Sequence, residues 1–283
     1  MLAITLRGLW SHKRRLAGTF LAVLLGVAFL AGTLVLGDTL RANFDTLFTS
    51  VTGDTGAVVR SATKVDANPA SPRGPIDASL VERLRSVPGA AAVQPVASGL
   101  GQIVGKDGKV LRTLGPPLAN NWVDDPGLTP YRIAEGRAPA GPNEVVINRG
   151  AAKDGKLAVC DRTIVDTPRP VPVTIVGIVT FQGADGFGGS SYTGFSLQGA
   201  QRHLTGNPDQ VNSILIKPAA GVSQRELVDQ VRPLLPPGVE AITGQQQSDE
   251  SISDINQGFL GLFRTFLTVF AGIALFVAMF SIA

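Results

Sequence analysis

Two long apolar segments without a charged residue constrain this chain more than any other feature of its sequence. The first covers residues 16–36 and reads LAGTFLAVLLGVAFLAGTLVL, and the second covers residues 266–283. As a helix, the first segment would be about 31 Å long, which matches the roughly 30 Å hydrocarbon core of a bilayer. The pattern predicts two transmembrane helices. Because the second is cut short at residue 283, we expect the natural protein to continue.

A cleaved signal peptide is the alternative for the first segment, because a basic stretch precedes it. Its apolar run is longer than the roughly 7–15 residues typical of a signal peptide, and no clean small-residue cleavage motif follows. We therefore interpret it as a retained anchor. Gly18, Ala22 and Gly26 recur at every fourth position of this segment and form a candidate face for helix packing in the membrane, although small residues are common in any membrane helix.

Charge is distributed unevenly along the chain. Residues 1–15 carry a net charge of +4, whereas residues 38–257 carry −2, so the net charge of +3 reflects mainly the short N-terminal tail. The positive-inside rule then predicts a multi-pass protein of the cell membrane with a cytoplasmic N-terminus and an extracytoplasmic region at 38–257. The acidic balance of that region argues against nucleic acid as a partner.

The outer region contains two copies of one helix–strand pattern. The first, SLVERLRSVPGAAAVQPV, begins at Ser79, and the second, ELVDQVRPLLPPGVEAIT, begins at Glu226. Asp77 is the predicted N-cap of the first helix, and Ser223 with Glu226 forms a capping box for the second. A β-type segment precedes and follows each helix, and two βαβ units of this kind commonly form one four-stranded sheet with both helices on one face. We therefore predict a ferredoxin-like α+β core.

The stretch between the two copies is rich in Gly and Pro and predicts an inserted β-rich subdomain. Its predicted strands are Lys109–Leu114, Glu144–Asn148, Thr163–Asp166 and Val171–Phe181. The glycine-rich loop Gln182–Gly194 is predicted to be mobile. The predicted organisation is a cytoplasmic basic tail (1–15), transmembrane helix 1 (16–36), a stalk helix (37–54), a split α+β core (55–104 and 208–244), the inserted subdomain (105–207), a second stalk helix (245–265) and a truncated transmembrane helix 2 (266–283).

Side chains suited to metal binding or redox chemistry are sparse. Cys160 is the only cysteine, and His12 and His203 are the only histidines, which excludes a disulfide framework, a cysteine-based zinc site and a His-rich metal site. Cys160 is predicted to be a buried thiol rather than a nucleophile with His203 as its base.

Motifs for nucleotide chemistry and calcium binding are also missing. No P-loop occurs, and the glycines of the loop at 183–189 lack a dinucleotide-binding fingerprint. The acidic pairs Asp124-Asp125 and Asp249-Glu250 are interpreted as solvated turn residues because no calcium-loop pattern surrounds them. We predict that the chain is not an enzyme, and no catalytic, cofactor-binding or metal-binding residue is assigned.

Three motifs in a consistent order resemble permeases of the FtsX/MacB-like ABC transporter family, in its actinobacterial branch. GVAFLAGTLVLGDTL at Gly26–Leu40 is similar to the exit of the family's first span. EGRAPAGPNEVVIN at Glu135–Asn148 resembles the outer-domain signature of a Gly-Arg-x-Pro turn and a Glu-Val-Val strand, and TIVGIV at Thr174–Val179 resembles the following core strand. Cys160 stands where the family usually has Gly, a departure that concerns the local turn.

The resemblance implies the membrane subunit of a transporter in which a separate cytoplasmic ABC ATPase binds and hydrolyses ATP, so that this chain needs no cofactor of its own. Mechanotransmission through spans and stalks would then move the outer domain for export or extraction of a lipid, lipoprotein or peptide. Membrane lipids and a second permease copy or homologue are further implied partners. The family's ATPase-contacting loop follows the second span.

Two other functions are compatible with the same topology. An FtsX-like regulator would activate a cell-wall hydrolase without transport, and it would bind that hydrolase through the outer domain. A two-span sensor would carry a cytoplasmic signalling module after the second span instead of further spans. A membrane-anchored enzyme is the weakest alternative, because the sequence offers no catalytic constellation.

Overall fold

The computed structural model describes residues 54–63, 73–113 and 115–253, together with Gly32, which is helical. Apart from Gly32, these residues belong to one compact unit, Phe48–Ala283. In this part of the chain no helix is long and apolar enough to cross a membrane. Both predicted spans, the basic tail and the first stalk up to residue 53 lie outside the described residues, with the single exception of Gly32. The candidate packing residues Gly18, Ala22 and Gly26 are therefore also outside them.

Short strands dominate the described residues. They are β1 (Ala57–Ser61), β2 (Ile76–Asp77), β3 (Ala90–Val96), β4 (Ser98–Leu100), β5 (Gln102–Ile103), β6 (Leu118–Asn121), β7 (Tyr131–Gly136), β8 (Glu144–Asn148), β9 (Arg162–Asp166), β10 (Pro170–Phe181), β11 (Tyr192–Phe195), β12 (Gln210–Val211), β13 (Ser213–Pro218) and β14 (Val239–Thr243). The helices are α1 (Leu80–Arg85), α2 (Arg149–Gly155), α3 (Leu197–Ala200, continued by a π-helical turn at Gln201–Thr205), α4 (Gln224–Val231, followed by a 3₁₀ turn at Arg232–Leu234) and the exit helix (244–253).

The four-stranded sheet has the order β14–β1–β13–β3 and is antiparallel throughout. Helices α1 and α4 pack together on one of its faces and share a single buried cluster with the strands. The mixed helix–strand fold expected from the repeated pattern is therefore confirmed, and the order is that of a ferredoxin-like split βαβ core. Arg60 and Val58 lie on the opposite face, which the exit helix covers in part.

Capping explains where the two core helices begin. Ser223 Oγ accepts a hydrogen bond from Glu226 N at 3.2 Å, which confirms Ser223 as the N-cap of α4. Helix α1 begins at Leu80, and the carboxylate of Asp77 accepts from Ser79 N at 2.7 Å, the capping hydrogen bond expected of an N-cap. Ser79 itself has helical backbone angles and makes no side-chain capping bond. Hydrogen bonds from the Ser79 side chain and then from its backbone lower the pKa of Asp77. Leu234, which continues the apolar spacing of Leu227 and Val231, is 37% exposed in the turn after α4.

The second sheet curls back on itself into a closed, barrel-like form. Its strands follow the order β4–β6–β11–β8–β10–β9–β5, and its two terminal strands are consecutive in the chain, joined by Gly101. A side chain at Gly101 would place its Cβ 2.9 Å from Ala119 Cβ and 3.0 Å from Val165 Cγ1, so only glycine allows the close approach at this bend. Phe195 and Ile147 are fully buried in the interior.

The inserted subdomain differs from the sequence prediction at several points. Its sheet begins at Ser98, inside the range assigned to the core, and residues 109–113 of the predicted strand Lys109–Leu114 contribute only a single bridge, at Val110. The end of the loop predicted to be mobile, from Tyr192 onward, is the buried strand β11. Five strands of this sheet were missed because they are short or lack an alternating pattern, and these are β4, β5, β6, β7 and β11.

The prediction that Cys160 is buried was wrong, because this residue is exposed. The residue lies in the turn between α2 and β9, where its N–H donates to Ile175 O at 2.7 Å. Its φ of +72° falls in the left-handed region, which glycine adopts most easily. The physical demand of this turn explains why a glycine is expected at this position in similar sequences.

Candidate functional site

The chain enters and leaves the core at the same place, which we call the junction and define as residues 54–56, 224 and 243–250. Strands β1 and β14 pair antiparallel, with Ala57 opposite Thr243. Beyond the last ladder pair, Gly244 N donates to Gly56 O at 3.2 Å. Residues 54–56 and 243–244 therefore lie side by side, and from this point the exit helix runs back over the sheet toward Arg60.

Close backbone approach defines the centre of the junction. A Cβ added to Gly244 would lie 2.1 Å from Thr55 O, so no larger residue fits without a shift of the main chain. Gln224 of α4 bridges the two segments, because its Nε2 donates to Thr55 O at 3.3 Å and its Oε1 accepts from Gln245 N at 3.2 Å. One core helix thus holds both the arriving and the departing backbone.

A complete capping box starts the exit helix. Thr243 Oγ1 accepts from Gln246 N at 3.1 Å, and Gln246 Oε1 accepts from Thr243 N at 3.0 Å. These reciprocal hydrogen bonds satisfy donors that would otherwise be unpaired at the helix start. The Thr-x-x-Gln pattern at 243–246 is a sequence signal for this start that the sequence reasoning missed.

The arriving segment is also tied to the inserted subdomain. Asp54 N donates to Gly127 O at 3.0 Å, and Lys217 Nζ lies 3.2 Å from Asp54 Oδ2 and 3.3 Å from Asp125 Oδ1. The hydrogen bonds to Asp54 and Asp125 raise the pKa of Lys217. Asp125 also accepts from Gly127 N at 2.7 Å, so it organises this contact in addition to forming a turn.

Charged groups gather on the sheet face beneath the exit helix. Arg60 of β1, whose side chain is only 5% exposed, lies between Glu240 of β14 and Glu250 of the exit helix. Arg73 contacts the same two carboxylates. Burial opposes ionisation of Glu250, but hydrogen bonds and charge from Arg60 and Arg73 outweigh it and lower the pKa of this carboxyl. Glu250 therefore belongs to a helix and an ion-pair cluster, contrary to the prediction of a turn residue.

The motif that resembled the family's outer-domain signature forms a closed loop between β7 and β8. Arg137 Nη1 and Nη2 lie 2.8 and 2.5 Å from the two carboxylate oxygens of Glu144, a bidentate pair. Glu144 also accepts from the N–H groups of Ala140 and Gly141. The Arg137 hydrogen bond, followed by these backbone bonds, lowers the pKa of Glu144 to about 2. Gly136, at φ +77°, starts the loop with an added Cβ position only 2.2 Å from Val176 O.

Cys160 and His203, the two residues weighed as a catalytic pair, have different contact partners. His203 lies on the π-helical turn after α3, where its Nε2 is 3.0 Å from Asn143 Oδ1 and its ring contacts Phe195. Burial lowers the pKa of His203. Within the described ranges, no group of three or more His, Cys, Asp or Glu side chains is arranged to hold a metal ion.

Comparison with known proteins identifies the family. The sequence matches the MacB-like periplasmic core domain over residues 16–234, and the chain belongs to this family. No curated protein matches the chain. The family consists of extracytoplasmic parts of ABC-transporter-type permeases, which work with an ATPase, so the chain derives from a membrane protein with an extracytoplasmic segment.

A solved structure supports this fold. The periplasmic region of MacB from Actinobacillus actinomycetemcomitans superposes with a TM-score of 0.50 at 12% identity, over 69% of this chain and 93% of that one. The extracellular domain of the noncanonic ABC-type transporter YknZ from Gram-positive bacteria is also similar, with a TM-score of 0.45 at 13% identity, over 65% of this chain and 98% of that one. At these identities the likeness concerns the fold.

Proposed function

We propose that this chain is the membrane subunit of an ABC transporter whose outer domain is moved by a separate cytoplasmic ATPase. The observation that carries the proposal is the junction, where the arriving and departing segments meet through Gly56 and Gly244. A domain held between two spans of one membrane needs both connections on the same side. Strands β1 and β14 bring residues 54–56 and the start of the exit helix together, which supports the proposal. The two predicted spans, 16–36 and 266–283, would anchor these connections.

ATP is bound by the partner subunit in this proposal, and the chain itself carries no cofactor. The ATPase dimerises on the cytoplasmic side, and its motion reaches the outer domain through the spans and the stalks. The cargo class that we propose is a lipid, lipoprotein or peptide, handled at the outer face together with membrane lipids and a second permease copy or homologue.

An FtsX-like regulator of a cell-wall hydrolase is the second candidate, because the same junction would transmit motion to a bound enzyme. A two-span sensor is the third. The actinobacterial branch assignment and the FtsX-like assignment stay predictions, whereas the MacB-like domain is established by the family match.

Affinity purification of the full-length gene product in mild detergent, followed by quantitative mass spectrometry, tests the proposal. We expect a stoichiometric ATP-binding subunit, whose ATPase activity would identify the assembly as a transporter or its close relative. Copurification of a hydrolase together with the ATPase would favour the regulator. A signalling enzyme in place of any ATPase would contradict the proposal and favour the sensor.

A further inference from the structure

The exit helix lies on the core sheet but has few apolar side chains of its own among its described residues. Its described residues, 244–253, read GQQQSDESIS, and Ile252 is the only large apolar side chain among them. Ser248, the most buried side chain of the helix at 3% exposure, is small and polar. A helix that is polar on all sides gains little from the hydrophobic effect, so polar contacts must fix its position.

Arg60 supplies these polar contacts from beneath the helix. Its Nη1 donates to Gln247 Oε1 at 2.6 Å and its Nη2 to Glu250 Oε2 at 2.6 Å, one helical turn further along. Its Nε donates to Glu240 Oε1 at 3.0 Å on the neighbouring strand β14. The three nitrogens of one guanidinium therefore engage three different side chains, a geometry that a lysine ammonium cannot reproduce.

A second arginine completes the charge balance. Arg73 Nη1 lies 3.2 Å from Glu240 Oε1, and Arg73 Nη2 lies 3.2 Å from Glu250 Oε2. Arg73 also donates to Ser61 O at 3.0 Å, which fixes it to the end of β1. Two cations thus face two carboxylates, so that the nearly buried Arg60 is fully compensated. Removing the acidic partners would leave the nearly buried Arg60 without compensation, which is unfavourable, although the two carboxylates themselves are 35% and 42% exposed.

Strand β1 gives this cluster a special position in the chain. It begins at Ala57, directly after the arriving segment, and it carries Arg60 three residues later. The same strand pairs with β14, whose end becomes the exit helix. Arg60 therefore joins the strand that receives the chain to the helix that releases it.

We propose that Arg60, with Arg73, Glu240, Gln247 and Glu250, forms a polar clamp that makes the exit helix move with the core sheet as one body. Arg60 is the positioning residue of this clamp. The mechanical role of the clamp rests on the proposed function, because only a domain that is moved through its connections to the membrane would use such a clamp. The contacts that hold the exit helix on the sheet do not depend on that function.

Hydrogen exchange of the full chain in detergent tests the clamp directly. Arg60→Met and Arg60→Lys are both expected to raise the exchange rates of the amides at 248–253 at least tenfold, while the amides of β13 stay within twofold of the unaltered protein. Arg232→Gln is the matched control, since its ion pair with Asp229 is about two-thirds exposed on both sides. Unchanged exchange at 248–253 in folded Arg60→Met would overturn the clamp.

A variant that leaves Arg60 in place keeps the test decisive if the arginine substitutions prevent folding. In the double variant Gln247→Ala/Glu250→Ala, Arg60 keeps its contact with Glu240 but loses both of its hydrogen-bond partners on the helix. The same tenfold rise at 248–253 is expected, and exchange equal to that of the unaltered chain would refute the proposal.

A test of the mechanical role of the clamp requires the complex of this chain with its ATPase. ATP is expected to change exchange in β1 and β14 of the unaltered complex, and the clamp variants should lose at least half of that change although the ATPase remains bound. A full response in the variants would refute the mechanical role. Failure to find any ATPase would refute the proposed function instead, and the exchange result at 248–253 would still decide whether the clamp exists.

Discussion

Replacing Gly244 by alanine should open the junction. The new methyl carbon would lie 2.1 Å from Thr55 O, whereas carbon–oxygen contacts normally exceed about 3.3 Å, so the two segments must separate by roughly 1 Å. This separation removes the hydrogen bond from Gly244 N to Gly56 O, worth about 1 kcal/mol. Strain from the displaced backbone adds about 1–3 kcal/mol. The expected local destabilisation is therefore about 2–4 kcal/mol.

Hydrogen exchange measures this opening at the amides of β1 and β14. A loss of about 2–4 kcal/mol corresponds to exchange that is roughly 30-fold to 1,000-fold faster if these amides exchange through the local opening. Gly74→Ala is the control, because its Cβ would lie 3.5 Å from Ser61 Oγ, an ordinary contact. Exchange at β1 and β14 that is no faster in the Gly244 variant than in the control would show that the junction is not closely packed.

Three further changes test separate parts of the fold. Cys160→Gly should stabilise the domain by about 0.5–1 kcal/mol. The substitution removes backbone strain at φ +72°, and part of this gain is offset because glycine gives the unfolded chain more conformational entropy. A lower urea midpoint would contradict this prediction. Glu144→Gln should cost about 1–2 kcal/mol at pH 7. Because the folded pKa of Glu144 is depressed to about 2, its contribution is complete above about pH 4.5 and is lost as the pH falls toward 2, so a variant deficit independent of pH would refute the ion pair. Phe195→Ala, at a fully buried site, should cost about 3–5 kcal/mol in urea unfolding, and a cost below about 1 kcal/mol would exclude Phe195 from the core.

The core was predictable because its signals are local and repeated. The N-cap at Ser223 and the apolar faces of α1 and α4 depend on residues close together in sequence, and the two copies support each other. The repeated βαβ pattern then predicts the sheet order without further information. The strand Glu144–Asn148 was found in the same way, because its run of apolar residues is bounded by turn residues.

The barrel-like insertion was less predictable because its pairing is non-local. Strand β6 reads LANN and is held by β4 and β11, which lie far from it or lack a pattern of their own. Closure of the sheet at Gly101 depends on Ala119 and Val165, and no local rule predicts that contact. Strand pairs with large sequence separation leave little trace in short windows of sequence.

The junction was missed for a different reason. Arg60 was one arginine among many in the sequence, and Glu250 looked like a member of a solvated pair. Their connection spans 190 positions in the chain, and it follows only from the pairing of β1 with β14. The exposed state of Cys160 was missed because a lone cysteine is usually buried, whereas this turn requires a left-handed residue at the surface.

Thiol labelling of intact cells tests the extracytoplasmic position of the domain most directly. Cys160 is exposed and is the only cysteine in the 283 residues, so a membrane-impermeant maleimide can report the location of the folded domain. With a mild reductant present and Cys160→Ser as the control, we predict labelling of intact cells equal to that of permeabilised cells. Labelling only after permeabilisation would place the domain in the cytoplasm and contradict the account of a permease moved from the opposite side of the membrane.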